Sequence, residues 1–203
     1  MRLFVAVDVG SDVQRAVSRT IEDLKRRSEQ RAPHARVTWV KPEQLHLTVQ
    51  FIGHVDAALG EQIRAALARP LRAPAFDLTI EGTGTFPPKR PPRVIWAGIG
   101  KGIDNLRSVE QEVRARLDGL VHSTGERVFH PHLTLGRVKN PAGLRPVPLL
   151  EGLESTVFGV VRVAAVTDTD RRVRTFRFFG ERELVKFQAS QAALDMVRRM
   201  LQV

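Results

Sequence analysis

The chain has 203 residues, 42% hydrophobic and 27% charged, a balance that suits one well-cored domain or two small fused lobes. It contains no cysteine, which excludes disulfides, thiol nucleophiles and cysteine-based zinc or iron–sulfur centres and suits a reducing cytoplasm. The 32 Lys and Arg, mostly arginine, outweigh 22 Asp and Glu to leave a formal charge of +10, which favours a polyanionic partner, nucleic acid above all. An arginine-favouring genome would give the same surplus.

The apolar start Leu3-Phe4-Val5-Ala6-Val7 breaks at Asp8, too soon for a signal-peptide core, and no other apolar run is long enough to span a bilayer. Alternation over residues 2–8 predicts a strand with Leu3, Val5 and Val7 on one face. Ser11 or Asp12 is placed to cap a helix whose Val13, Ala16, Val17, Thr20, Ile21 and Leu24 recur at helical spacing. A strand at 36–40 follows, then Lys41-Pro42 turns the chain into a strand at 45–51 that Gly53 ends. Leu59, Ile63, Ala66 and Leu67 mark a second helix, closed by Pro70.

Phe76, Leu78 and Ile80 alternate in a strand at 75–86, after which Pro87-Pro88-Lys89-Arg90-Pro91-Pro92-Arg93 is a stiff, basic loop. A strand at 93–99 contains Trp96, and Leu106, Val109, Val113, Leu117 and Leu120 give an amphipathic helix over 103–120. A strand at 131–138, a proline-rich connection at 141–148 and strands at 156–168 and 172–180 come next. Ser190 caps a last helix with Ala193, Leu194, Val197, Met200 and Leu201 on one side. Helices mix with several adjacent strands, so antiparallel pairs must dominate an α+β fold. Gly82-Thr83-Gly84 lies inside a strand pattern without a following helix and is not a phosphate loop.

One pattern occurs twice. Leu45-His46-Leu47-Thr48-Val49 returns as Pro131-His132-Leu133-Thr134-Leu135, with the histidines 86 residues apart. Alternate side chains of a strand share a face, so each His-Thr pair points one way while Leu47 and Val49, or Leu133 and Leu135, point into the core. A core needs only the apolar half. The repeated polar half is what a symmetric two-histidine site requires.

Two imidazoles facing one cleft serve as general base and general acid, since a pKa near 6.5 lets one be neutral while the other is protonated. Thr48 and Thr134 present hydroxyls beside them, and Arg137, five residues beyond His132, adds positive charge where a phosphorus centre gains negative charge. Phe51 holds the equivalent place in the first copy, where an exposed ring stacks on a nucleobase and a buried one only packs.

These residues, with Trp39-Val40-Lys41-Pro42-Glu43, Phe51-Ile52-Gly53, Pro131 and Arg93-Val94-Ile95-Trp96-Ala97, resemble the two-histidine (2H) phosphoesterase superfamily. Within it the chain looks like the RNA 2′,3′-cyclic phosphodiesterases, long called 2′-5′ RNA ligases, over about residues 2–180. The resemblance implies a domain at 1–180 of two pseudo-symmetric lobes, with mainly antiparallel sheets lining a central cleft and helices outside. Residues 181–203 are then a C-terminal extension with an amphipathic helix.

It also implies hydrolysis of a terminal RNA 2′,3′-cyclic phosphate to a 2′-phosphate without metal or cofactor. His46 protonates the leaving 3′ oxygen and His132 activates water. Thr48, Thr134 and Arg137 hold phosphate oxygens, and Phe51 meets the terminal base. Reverse 2′-5′ joining is a side reaction of the same site. The partner is RNA with a cyclic phosphate end, with no membrane and no second protein, so a monomer is expected.

Three rivals remain open in the sequence. His130, His132 and His46 would make a three-histidine zinc site, although Pro131 disturbs that geometry and the paired threonines are then unexplained. A non-catalytic RNA-binding module would draw on the charge and on the loop bearing Lys89, Arg90 and Arg93. A small cyclic nucleotide or an ADP-ribose cyclic phosphate presents the same reacting atoms as an RNA end. His34, His54 and His122 sit in turn surroundings and read as solvated.

Overall fold

The computed structural model describes residues 2–121 and 128–163, together with the backbone of 185–187. The end of the strand expected at 156–168, from residue 164 on, the strand expected at 172–180, the helix at 190–202 and His122 lie outside the described residues.

The first strand, β1 (Arg2–Asp8), follows the alternation, with Leu3, Val5 and Val7 buried. Helix α1 (Ser11–Arg31) buries Val13, Val17, Ile21 and Leu24 along one stripe. Its cap differs from expectation: Gly10 is the N-cap, no side chain caps the helix, and the Gln14 N–H donates to the Gly10 carbonyl at 3.0 Å. The helix starts early enough that Ser11 and Asp12 fall inside its first turn. There the Asp12 carboxylate meets the positive end of the helix dipole and pairs with Arg15.

After β2 (Arg36–Trp39) a single 3₁₀ turn at Pro42–Gln44 aims the chain into β3 (His46–His54). Gly53 does not end this strand. With φ at +97° it lies within an irregular stretch of the β1 pairing, a conformation glycine adopts without steric penalty. The Asp56 carboxylate caps α2 (Ala57–Leu67), accepting from the Leu59 N–H at 2.8 Å.

The proline loop joins β4 (Phe76–Phe86) to β5 (Val94–Ile99). Helix α3 (Ile103–Arg116) is shorter than the expected 103–120, because Leu117 leads into turns that still bury its side chain. Strand β6 is Leu133–Asn140. The expected connection at 141–148 contains the start of a short helix, α4 (Pro146–Leu150), with proline in the first turn where no N–H is needed. Strand β7 is Val157–Val163, and β8 (Val185–Phe187) lies in the segment expected to be an extension.

The strands form one open sheet in the order β7-β4-β5-β6-β3-β1-β8, with β2 also paired to β6. Every pairing is antiparallel except β1 with β8. The first and second halves of the chain meet where β3 abuts β6, at the single register pair Leu47↔Leu133. Elsewhere the halves are exchanged. Helix α1 packs on β7 of the second half, where Val13 lies 3.0 Å from the point a Cβ on Gly159 would occupy. Helix α3 packs against β3 of the first half, and β2 pairs with β6 of the second. One apolar cluster runs through both halves, and each buried Leu, Ile or Val in it contributes roughly 1.5–3 kcal/mol.

Candidate active site

Leu47 and Leu133 are each the residue after a motif histidine, and their pairing puts a local two-fold axis between the motifs. Antiparallel partners have numbers of constant sum, here 180, so the same register sets His46 across from Thr134 and His132 across from Thr48. Both leucines are buried, at 1% and 0% exposure, so the two histidines and two threonines share the opposite, half-buried face. His46 and His132 are diagonal neighbours across the β3–β6 seam, a relation that sets residues roughly 7–8 Å apart.

Strict alternation would put residues five beyond each histidine on the core face. A bulge in each strand corrects this. On β3, Gln50 pairs with Val5 and Thr48 with Ala6, so Val49 has no partner on β1 and Phe51 pairs with Phe4. Phe4 and Ala6 share a face of β1, so Phe51 lies with Thr48 on the histidine face, 53% exposed. On β6, Gly136 pairs with Ile95 and Thr134 with Trp96, so Leu135 has no partner on β5 and Arg137 pairs with Val94. Val94 and Trp96 share a face, and Arg137 therefore joins Thr134 beside the histidines. Both bulges fall three residues after the motif histidine. All six predicted site residues thus come to one face.

The ring nitrogens are held alike in both copies. His46 Nδ1 lies 2.6 Å from the Gln44 carbonyl, and His132 Nδ1 lies 2.7 Å from the His130 carbonyl. A carbonyl only accepts, so each Nδ1 carries a proton and donates it, and in the neutral ring Nε2 keeps its lone pair. Each ring also rests on a phenylalanine. Phe4 stacks on His46 with centroids 4.9 Å apart, and Phe86 meets His132 edge-on at 5.1 Å. Burial holds the His132 pKa below the ordinary imidazole value of 6.5; the hydrogen bond to the His130 carbonyl opposes this, and the Arg137 charge and the neighbouring His130 ring add to it.

Sequence reasoning missed the aromatic wall. Trp96 lies across Gly84, where a Cβ would sit 2.2 Å from its ring, and its centroid is 5.3 Å from Phe86. Its buried Nε1 has no hydrogen-bond partner among the described residues. The sequence signal was present: Gly84 and Phe86 alternate on β4 opposite Trp96 and Val94. Phe51 is covered from one side by the Arg2 guanidinium, 4.9 Å from its centroid. His34 and His54 are exposed, and no three His, Cys, Asp or Glu gather into a metal-holding group among the described residues.

The sequence matches the model of the 2′-5′ RNA ligase superfamily over residues 13–172. It is 39% identical over 140 residues to an RNA 2′,3′-cyclic phosphodiesterase of Thermotoga maritima, covering 68% of this chain and 71% of that protein. It is 33% identical over 172 residues to an RNA 2′,3′-cyclic phosphodiesterase of Methanothermobacter thermautotrophicus, covering 82% and 88%. Among solved structures it is similar to TT0787 of Thermus thermophilus, with a TM-score of 0.59 and 29% identity over 80% of this chain and 84% of that one. Apo LigT of Escherichia coli gives 0.53 and 26%, covering 67% and 71%.

Proposed function

The chain belongs to the 2′-5′ RNA ligase superfamily, and on that basis we propose that it hydrolyses a 2′,3′-cyclic phosphate at the end of RNA to a 2′-phosphate. The Leu47↔Leu133 register carries this reading, because it brings two identically anchored imidazoles to one face at a spacing that admits a phosphoryl group. A terminal cyclic phosphate has a strained diester whose 3′ oxygen must leave opposite the attacking water.

His132, kept neutral by burial, takes a proton from water through Nε2 as the water oxygen bonds to phosphorus. His46 enters as the imidazolium and gives its Nε2 proton to the departing 3′ oxygen, so the P–O3′ bond breaks to a hydroxyl and the phosphoryl stays on O2′. Thr48, Thr134 and Arg137 donate to the non-bridging oxygens, where charge builds on the way to the transition state. Phe51 offers an exposed face to the terminal base. Both protons move through imidazoles, so the cycle uses neither metal nor cofactor. When a 5′-hydroxyl RNA end takes the place of water as the attacking group, its oxygen bonds to phosphorus as the 3′ oxygen leaves protonated, and the same site joins ends through a 2′-5′ linkage.

Both motifs come from one chain, so one copy suffices, and we read the protein as a monomer of the cytoplasm. No helix among the described residues is long and apolar enough to cross a membrane. The deciding experiment incubates a cyclic-phosphate-ended RNA with chelator-treated protein and identifies the hydroxyl that keeps the phosphoryl. A 2′-phosphate is expected, with His46→Ala and His132→Ala each lowering the rate about 100- to 10,000-fold while RNA binding persists. A 3′-phosphate product would overturn the assignment of roles. Absence of turnover by the unaltered chain would leave a binding module as the better account.

A further inference from the structure

An open pocket of about 570 Å³ lies at the far end of β6, lined by Pro33, His34, Ala35, Arg36, Lys139 and Asn140. We infer that this pocket binds backbone phosphates of upstream nucleotides, extending the active site along single-stranded RNA; the inference rests on the cyclic-phosphodiesterase reading.

Its position follows from register. Thr38 pairs with Arg137 and Arg36 with Asn140, and Arg36 alternates with Thr38 on β2, so Arg36 and Asn140 continue the face that carries Arg137 and the histidines. The pairing skips Lys139, a further irregularity that frees this residue from the ladder. From Thr134, level with His46, to Asn140 the partner strands count four ladder steps, Trp96 to Val94 and then Thr38 to Arg36, or about 13 Å. That span matches at most about four stacked nucleotides at their 3.4 Å rise, and fewer when the strand is extended.

Its chemistry selects anions. The lining offers a guanidinium, an ammonium, an imidazole and an amide, and contains no carboxylate. Asn140 Oδ1 already accepts from the Ala142 N–H at 3.2 Å, which leaves the amide NH₂ as the group to meet a ligand. Among the described residues Arg36, Lys139 and Arg137 make no ion pair. On α1, by contrast, Arg15, Lys25, Arg26 and Arg27 each pair with an acid one turn away, Asp23 serving both Arg26 and Arg27, and Arg19 alone of these neighbouring cations makes no ion pair among the described residues. Most cations of the helix are paired with acids, and those along this strand track are not, which is how a polyanion path is built.

The test is the double variant Arg36→Gln/Lys139→Gln, assayed on a 2′,3′-cyclic mononucleotide and on cyclic-phosphate-ended RNAs of two to eight nucleotides across a salt series. In the unaltered protein kcat/KM should rise with length and level off by about four nucleotides, so that a hexamer spans the whole path. In the variant the hexamer-to-mononucleotide ratio should fall about tenfold or more, and the log–log salt slope for the hexamer should drop by about 1.4, at roughly 0.7 per single-strand phosphate contact. Unchanged length dependence and salt slope would overturn the inference. If neither protein turns over any substrate, the activity assignment fails on its own. The pocket is then judged by fluorescence anisotropy of a 2′-phosphate-ended hexamer, where an equal salt slope in both proteins refutes it and a reduced slope supports it. Competition by inorganic phosphate at millimolar concentration with no effect of RNA length would identify a free-phosphate site and refute the RNA assignment.

Discussion

Gly84→Ala is the sharpest probe of the cleft, because the substitution adds one carbon beneath Trp96. That Cβ would stand 2.2 Å from Trp96 Cζ2 and 2.4 Å from Cη2, where ordinary contact begins at 3.4 Å, so the indole must move by at least 1.2 Å. The sheet backbone lies below, and the ring is driven upward into Phe86, 5.3 Å away, and through Phe86 onto His132 at 5.1 Å. Misplacing a reacting group by about 1 Å is worth on the order of 100-fold in rate. The strain of overpacking adds about 1–3 kcal/mol of lost stability. The assay is kcat and kcat/KM on a cyclic-phosphate-ended RNA, with melting followed in parallel to confirm that the variant is folded at the assay temperature. A folded Gly84→Ala enzyme should lose about 100-fold in kcat, and Gly84→Ala/Trp96→Leu should recover part of it by removing the displaced ring. Wild-type kcat in the single variant would refute the idea that Trp96 and Phe86 set the position of His132.

Further outcomes follow from other contacts. His132 acts as the base when unprotonated and its pKa is lowered, so the acid limb of kcat/KM should lie below pH 6.5, with the rate falling as pH drops through it. Arg137→Gln removes a like charge, raises that pKa, and should move the limb of the residual activity to higher pH; a limb that stays put or moves down contradicts this. The same sign makes His132 a source of stability lost as pH falls below 6.5, since the unfolded chain binds that proton more readily. Phe51→Ala should raise KM about 5- to 150-fold through loss of roughly 1–3 kcal/mol of base stacking, and Phe51→Trp should keep it; an unchanged KM in the alanine variant removes Phe51 from substrate contact. Asp56→Ala deletes the α2 cap and should cost about 1 kcal/mol in a denaturant melt with kcat unaltered, since the cap is remote from the histidine face.

Much of this was written in periodicity. The alternation of β1, β4 and β5 and the helical stripe of α1 appear in the structure nearly where the residues put them, because burial of one face dictates both patterns. The repeated His-x-Thr gave the polar face. What alternation could not give was the side on which Phe51 and Arg137 lie, since period two assigns both to the core. A bulge has no signature in the side chains of Val49 or Leu135, which are ordinary core residues; it is visible only once β1 and β5 supply the register. Gly53 misled for a related reason: its positive φ is spent on an irregular pairing inside a strand rather than on a stop. The cap of α1 falls on Gly10 because the helix begins one residue earlier than a Ser11 cap requires, which leaves Ser11 and Asp12 inside its first turn, a difference that composition does not resolve. The Nδ1 anchors were invisible because the acceptors are backbone carbonyls, which every residue has.

The Leu47↔Leu133 pair has a consequence for how this protein fails. Distance between the imidazoles is counted in residues along a ladder. A slip of one residue on either strand would turn a whole set of side chains over, hiding one histidine in the interior. Such a protein has no graded, half-assembled condition between competent and dead. Damage to the seam should therefore show as a shrinking fraction of fully active molecules, each with its native affinity, rather than as a uniform population of sluggish ones.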